Sequence, residues 1–256
     1  MLGFFSNNII NKKKIEKQKF KILDRLFSNF ISYSQHFEDF ILFYLFYDID
    51  KGFYIDIGAN DPNIFSVTKA FYERGWHGIN IEPLPNKFNL LKKFRPRDIN
   101  LNIGAGKKEM NSTFMSLGVF SSLFYNKTKK NLKIIPVTIK KMSNICKEYV
   151  PKGLQIEFLK IDVESSEKDV LLGFDFINFR PKIICIESLL KPVTLIPEYI
   201  EWEEILIKNS YNFAYKYELN RFYYDNKVKG LKEKFIEIDS FVKIYKKKNN
   251  NIYKIL

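Results

Sequence analysis

Short apolar runs alternate along this chain with stretches in which apolar residues recur every three or four positions. Phe53, Tyr54, Ile55 and Ile57 form a compact β-rich run, the pattern of a strand buried on both faces. Gly58, Ala59 and Asn60 break it, and Asp61-Pro62 adds a turn signal. Val67, Ala70 and Phe71 then share one helical face, with Ser66 placed to cap that helix and Gly75 to end it. Ile79 and Ile81 make a second strand, stopped by Glu82-Pro83. Residues 52–83 therefore read as a βαβ unit, and the rest of the chain is organised around it.

Upstream, residues 12–31 predict an amphipathic helix with Ile15, Ile22, Leu23, Leu26, Phe27 and Phe30 near one face and lysines crowding the rest. Ser34 to Tyr47 predicts a second helix, with Ser34 as N-cap and Phe37, Phe40, Ile41, Tyr44 and Leu45 as its apolar stripe. Glu38 and Asp39 fall in its first turn, where the helix dipole favours acids. Downstream, Pro85 to Phe94 predicts a helix. Ile99, Leu101 and Ile103 alternate as a strand running into Gly104-Ala105-Gly106. Residues 107–136 read as irregular or hairpin structure of a length that often covers an active site. Val137 to Val150 reads as a short strand and a helix. Ile156 to Val163 is the next central strand, with Ser165-Ser166-Glu167 opening a helix, and Pro181 to Glu187 is the strand after it. A helix from Pro197 to Asn209 precedes an antiparallel hairpin, Tyr211 to Tyr217 and Arg221 to Tyr224, with Asn220 in its turn. Beyond Lys227 the pattern weakens, and Lys246, Lys247, Lys248 and the following asparagines suggest a loose basic tail. The predicted division is an amphipathic extension over 1–33, an α/β domain over 34–227 and a basic extension over 228–256.

Composition narrows this only slightly. A chain of 256 residues with 46% hydrophobic content suits one α/β domain with extensions. The net charge of +13 would suit nucleic acid, an acidic membrane surface or an anionic substrate, but the lysines are scattered rather than clustered. No arginine-rich run or aromatic RNA-binding motif is present, so no nucleic-acid partner is expected. Cys146 and Cys185 define neither a disulfide framework nor a metal site, and fit a reducing cytoplasm. No stretch reaches the 18 or so apolar residues of a spanning helix. At the N-terminus the apolar residues precede the lysines, the reverse of a secretory signal. The N-terminal helix is expected to dock on the domain; peripheral contact with an anionic membrane is its alternative.

A βαβ unit with small residues in its first turn places a ligand at the carboxyl ends of its strands. Asp56 and Glu82 stand at those ends. An acid after the second strand suits a ribose diol, which points to a nucleoside-bearing cofactor. NAD requires a G-x-G-x-x-G turn that lets the backbone approach a pyrophosphate; only Gly58 is present here, followed by Asn60 and Pro62. Asp56 would repel phosphate and suits the ammonium of a methionine moiety. S-adenosylmethionine is therefore the preferred cofactor, received by Asp56, Gly58, Ala59, Asn60 and Glu82, with Gly104 bordering the adenine.

Four stretches in the right order carry a family resemblance: SQHFED, GFYIDIGANDP, GWHGINIEP, and FLKIDVESSEKDVLLGF followed by PKIICIE. Together, over about residues 34–190, they resemble the FkbM-type methyltransferases. The resemblance implies a class I, Rossmann-like fold: a seven-stranded, mostly parallel sheet between helices, whose last strand is antiparallel. It also implies S-adenosylmethionine and O-methylation of a sugar or secondary metabolite. Two positions depart from the pattern. Pro62 stands where many relatives carry glycine, which implies a different loop path. Ser165-Ser166 replaces a glycine-containing pair, which implies a less strained turn.

For methyl transfer to a hydroxyl, a base at a strand end is needed. Asp162 and Glu164 follow the fourth central strand, on the same side of the chain by alternation, and are the expected catalytic pair. Lys160 shares their parity and would pair with one of them. Glu187 would either reach the site or cap its strand, and Glu167 reads as a first-turn helix acid. Two carboxylates could hold a divalent cation, but without a third ligand no metal is expected. His36, in an early helix turn, and His77, at the wrong end of its strand, are poor candidates. The competing function is a nucleic-acid-binding protein that keeps the fold, either non-catalytic or RNA-directed.

Overall fold

The computed structural model describes residues 30–116, 133–189 and 196–248, together with Lys21 and Phe27. Its centre is a seven-stranded sheet. The strands are β1 (Phe53–Ile57), β2 (His77–Ile81), β3 (Ile99–Leu101), β7 (Phe158–Ile161), β8 (Ile183–Glu187), β9 (Tyr211–Tyr217) and β10 (Asn220–Asp225). They lie in the order β3-β2-β1-β7-β8-β10-β9. The first five are parallel, and β10 enters antiparallel between β8 and β9. Every residue of β1, β7 and β10 is buried; for the parallel strands β1 and β7 this is why they read as near-continuous rather than alternating runs.

Helices cover both faces. Helix α1 (Glu38–Leu45), α2 (Lys69–Glu73) and α7 (Leu231–Lys248) pack with Tyr54, Phe158, Cys185 and Phe222. On the other face, α4 (Met142–Tyr149), α5 (Glu167–Gly173) and α6 (Glu203–Lys208) pack with Phe53, Ile55, Leu159, Ile184 and Tyr223. Helix α3 (Pro85–Phe94) follows β2 with the predicted bounds. A second sheet is built from β4 (Gly104–Gly106), β5 (Met110–Ser116) and β6 (Lys133–Lys141), in the order β4-β6-β5. Its antiparallel β5–β6 pair starts in the stretch read as irregular or hairpin structure, and β6 runs on through the strand predicted from Val137; residues 117–132 between them lie outside the described residues. It lies tight against the main body: a Cβ added to Gly173 of α5 would fall 2.0 Å from the carbonyl oxygen of Gly106. Among the described residues no helix is long and apolar enough to cross a membrane.

Several local expectations change. Ser34 is not the N-cap of α1; Phe37 holds that position, with φ 59°. The loop before α1 wraps around Asp39, which accepts from Ser32 Oγ (2.7 Å), Ser34 Oγ (2.6 Å) and the Tyr33 amide (2.6 Å). A fully buried carboxylate must be satisfied in this way. Burial still pushes its pKa up, to about 6. Ser66 does not cap α2, because its hydroxyl accepts from the buried Arg95 at 2.9 Å. Arg95 also holds the carbonyl of Pro62 at 2.9 Å, which fixes the path of the loop at that proline. Asn220 is not in the hairpin turn; it opens β10, buried, opposite Glu187. Gly104 does not extend β3 but belongs to the second sheet. The chain beyond Lys227 is not a loose tail as far as 248, since α7 buries Leu231, Phe235, Ile238 and Val242 in the core. Most of the predicted N-terminal helix lies outside the described residues. At Phe27 the side chain is buried against Phe40 and Phe43, with ring centroids 5.0 Å from each.

Candidate active site

Strand register sets out the site. Asn80, Asp56, Lys160 and Cys185 are lateral partners across β2, β1, β7 and β8, so their side chains share one face of the sheet. Two residues further along each strand, on the same face, stand Glu82, Gly58, Asp162 and Glu187. The chemistry-bearing groups thus occupy one row at the carboxyl ends of the parallel strands, where open α/β sheets place their ligands.

The β1–α2 loop passes close over β7. A Cβ on Gly58, whose φ is +77°, would fall 1.8 Å from the Asp162 carbonyl oxygen, so no other residue fits there. Glu82 is 4% exposed and spans the loop: one oxygen accepts the Asn60 amide and the other the Leu84 amide, each at 2.8 Å. Burial raises its pKa, against the opposing pull of these two bonds. Each oxygen retains acceptor capacity, so a diol would meet a carboxylate already fixed in orientation. Ala59 is buried under the loop and Asn60 exposed at its surface, with φ 50°. The residue beside Glu82 at the end of β3 is Asn102, not Gly104; its Nδ2 donates to the carbonyls of Glu82 and Pro83.

Asp56 is placed differently from the expectation of direct contact with a ligand ammonium. It is 1% exposed, accepts Thr68 Oγ1 at 3.0 Å and lies 3.4 Å from Lys160 Nζ. The ammonium it faces belongs to the protein. Lys160 Nζ also reaches Asp162 Oδ2 (3.2 Å) and the Gly58 carbonyl (3.0 Å). Burial works against its charge, but Asp162 and Asp56 outweigh that and hold the ammonium well above its ordinary pKa.

Asp162, Glu164 and Glu187 bring carboxylate oxygens within 4.8 Å of one another. The convergence of Asp162 and Glu164 does not come from strand alternation. Strand β7 ends at Ile161, and Glu164 and Ser165 both take left-handed conformations, with φ 53° and 73°. The turn is therefore strained, contrary to the expectation, because neither residue is glycine. Of the two places open to Glu187, the structure takes the one in the site, and this adds a third carboxylate to the pair. Burial and the neighbouring Asp162, which also hydrogen-bonds it, push its pKa far above the carboxylate range, with a further push from Glu164. Lys160 Nζ lies against Asp162, while burial and the neighbouring acids favour the protonated form of Glu187. A hard divalent cation could be met by such oxygens. Here the Lys160 ammonium already lies against Asp162.

Residues that sequence reasoning passed over hold this row in place. Asn220 Nδ2 donates to Glu38 Oε1 at 2.7 Å, joining the start of α1 to the strand beside Glu187. Asp98 accepts from Tyr54, Asn80 and the Gly78 amide, bracing β1 and β2 from within. His36 donates its backbone amide to Glu38, and His77 opens β2 at the end away from the site.

The sequence model of the family described as Methyltransferase FkbM domain matches residues 56–217, from Asp56 in β1 through the end of β9. The chain belongs to this family. Membership of this methyltransferase family implies use of S-adenosylmethionine. Among solved structures, the METTL16 MTase domain (crystal form 2) is similar at 14% identity and a TM-score of 0.39. That alignment covers 72% of this FkbM chain and 63% of the METTL16 chain, less than two thirds of its length. No curated protein matches the chain.

Proposed function

We propose that this FkbM methyltransferase transfers the methyl group of S-adenosylmethionine to a hydroxyl of a sugar, a surface glycan or a secondary metabolite. The reading is carried by the convergence of Asp162, Glu164 and Glu187 beside the Lys160 ammonium. Methyl transfer to a neutral hydroxyl needs a base within reach, and a carboxylate group that shares one proton is suited to accept another.

The cofactor supplies a methyl already activated for in-line displacement. The protein's work is alignment, worth up to roughly 7–11 kcal/mol, and removal of the acceptor proton, worth about 10²- to 10⁴-fold. Glu82, fixed by the Asn60 and Leu84 amides, would hold the ribose diol, with the Gly58-Ala59-Asn60 backbone beside it. Asp56 acts from beneath, through Lys160 and Thr68. Asp162 takes the hydroxyl proton. Glu187 stays protonated, and Lys160 stays charged, so no second uncompensated charge forms next to Asp162. Glu164 orients the acceptor through a neighbouring polar group. Both cysteines are buried free thiols, which fits a reducing compartment, and we place the reaction in the cytoplasm.

Calorimetry tests the cofactor half of this reading with S-adenosylhomocysteine as the probe. Binding that is lost in Glu82→Ala supports it, and binding of NAD in its place overturns it. Mass spectrometry of surface glycan and small metabolites after loss of the gene tests the acceptor half. A missing O-methyl group is the expected result, and a missing N-methyl group with intact O-methylation would reject a hydroxyl acceptor.

A further inference from the structure

The turn after β7 carries two consecutive left-handed residues, Glu164 and Ser165, and neither is glycine. Each such residue costs about 1–2 kcal/mol and persists only where surrounding contacts hold it. Two buried acids supply such contacts. Glu167, 2% exposed, accepts the Val163 amide at 3.1 Å on one side of the turn. Glu198, 6% exposed, accepts the Ser165 hydroxyl in a short hydrogen bond from the other.

Glu198 is 33 residues downstream and follows Pro197 at the start of a short 3₁₀ helix, Glu198–Glu201. It is itself fixed. Its amide donates to the Leu189 carbonyl at 3.0 Å, and its second carboxylate oxygen accepts the Leu189 amide at 3.4 Å. Leu189 stands two residues beyond Glu187, the last residue of β8. One carboxylate therefore ties the turn that bears Glu164 to the chain just past the strand that bears Glu187.

We propose that Glu198 is a positioning residue for this site: by gripping Ser165 it keeps the left-handed turn that directs Glu164 toward Asp162 and Glu187. This rests on the reading of those three acids as the acceptor end of the site. It makes a hydroxyl at position 165 part of the machinery. Serine there needs holding, and its Oγ is the handle by which Glu198 holds it; glycine would adopt the same backbone without a clamp.

The test needs no acceptor. Protein labelled with ¹³C at glutamate carboxyls is titrated by NMR, and the Glu187 signal is identified by its loss in Glu187→Gln. The charges facing Glu187 are Asp162, Glu164 and Lys160, so withdrawal of Glu164 lowers the Glu187 midpoint. Glu198→Ala and Ser165→Ala should each lower it by about half a pH unit or more. Glu198→Gln keeps an acceptor for Ser165 while removing the charge, and should stay close to wild type. Ser165→Gly combined with Glu198→Ala should restore the midpoint, because glycine takes the left-handed turn unaided. Ser165→Ala reads the same contact if Glu198→Ala does not fold. An unchanged midpoint in Ser165→Ala overturns the proposal. So does an equal shift in Glu198→Gln, which would assign the effect to charge rather than grip. Failure of the wild type to bind S-adenosylhomocysteine or methylate any hydroxyl would strike the functional reading and leave these titrations interpretable.

Discussion

Replacing Glu187 by glutamine should stabilise the protein, and by more as the pH rises. In the folded chain burial, Asp162 and Glu164 push the Glu187 pKa from 4.5 up to about 9. Below pH 4.5 both folded and unfolded states hold the proton, and the group contributes no pH-dependent difference. Between 4.5 and about 9 the unfolded chain releases a proton that the folded chain keeps. Wild-type stability therefore falls across that window, by about 1.4 kcal/mol per pH unit. At pH 7 the accumulated loss is on the order of 3 kcal/mol. Glutamine has no proton to lose, and its amide can still donate to Asp162 as the protonated acid does. At this chain length the gain corresponds to roughly 6–12 °C in melting temperature. Urea unfolding of wild type and Glu187→Gln at pH 5, 7 and 8.5 measures it directly. The difference should be small at the lowest pH and largest at the highest. A difference that is flat with pH, or a variant less stable than wild type at high pH, would refute the assignment of the proton to Glu187.

Three further outcomes are expected. Glu82→Ala should weaken S-adenosylhomocysteine binding by about 1.5–3 kcal/mol, roughly 10- to 150-fold by calorimetry, and retained affinity would remove Glu82 from the ribose. Asp162→Asn should lower single-turnover methyl transfer to a confirmed acceptor by about 10²-fold or more while cofactor affinity stays within a few-fold; near-normal transfer would move the base role elsewhere. Phe235→Ala, which empties a position where α7 meets the core, should cost about 3–5 kcal/mol in urea unfolding, and a change under about 1 kcal/mol would show that α7 is not part of the cooperative core.

The βαβ unit and the fourth and fifth strands of the sheet were legible because each strand is parallel and almost wholly buried, with its apolar run written locally. Asp162 and Glu82 were placed for the same reason, as acids that directly follow such runs, whereas Glu164 reaches Asp162 through the turn and not through the strand pattern. What escaped was information carried by partners distant in sequence. Asn220 reads as a turn residue until its amide is seen to meet Glu38, 182 positions away. Asp56 reads as a ligand-binding acid because nothing local shows that Lys160 lies alongside it in the next strand. Gly104 was misplaced because the alternation of Ile99, Leu101 and Ile103 continues past Leu101, where the chain leaves the main sheet. Helix α7 was hidden by lysine density: Leu231, Phe235, Ile238 and Val242 do keep helical spacing, but polar residues outnumber them.

Insertion of β10 between β8 and β9 constrains the order of assembly. It follows both β8 and β9 in the chain, so until it is made the β8 edge has its backbone unpaired. Until Asn220 emerges, Glu187 has no neighbour across that edge and Glu38 lacks its bond to the sheet. The segments that bear Glu38 and Asn220, 182 positions apart, must meet before the edge beside Glu187 is closed. The strand that carries Glu187 is thus completed by contacts of long sequence separation, the kind whose loop closure is costly and slow.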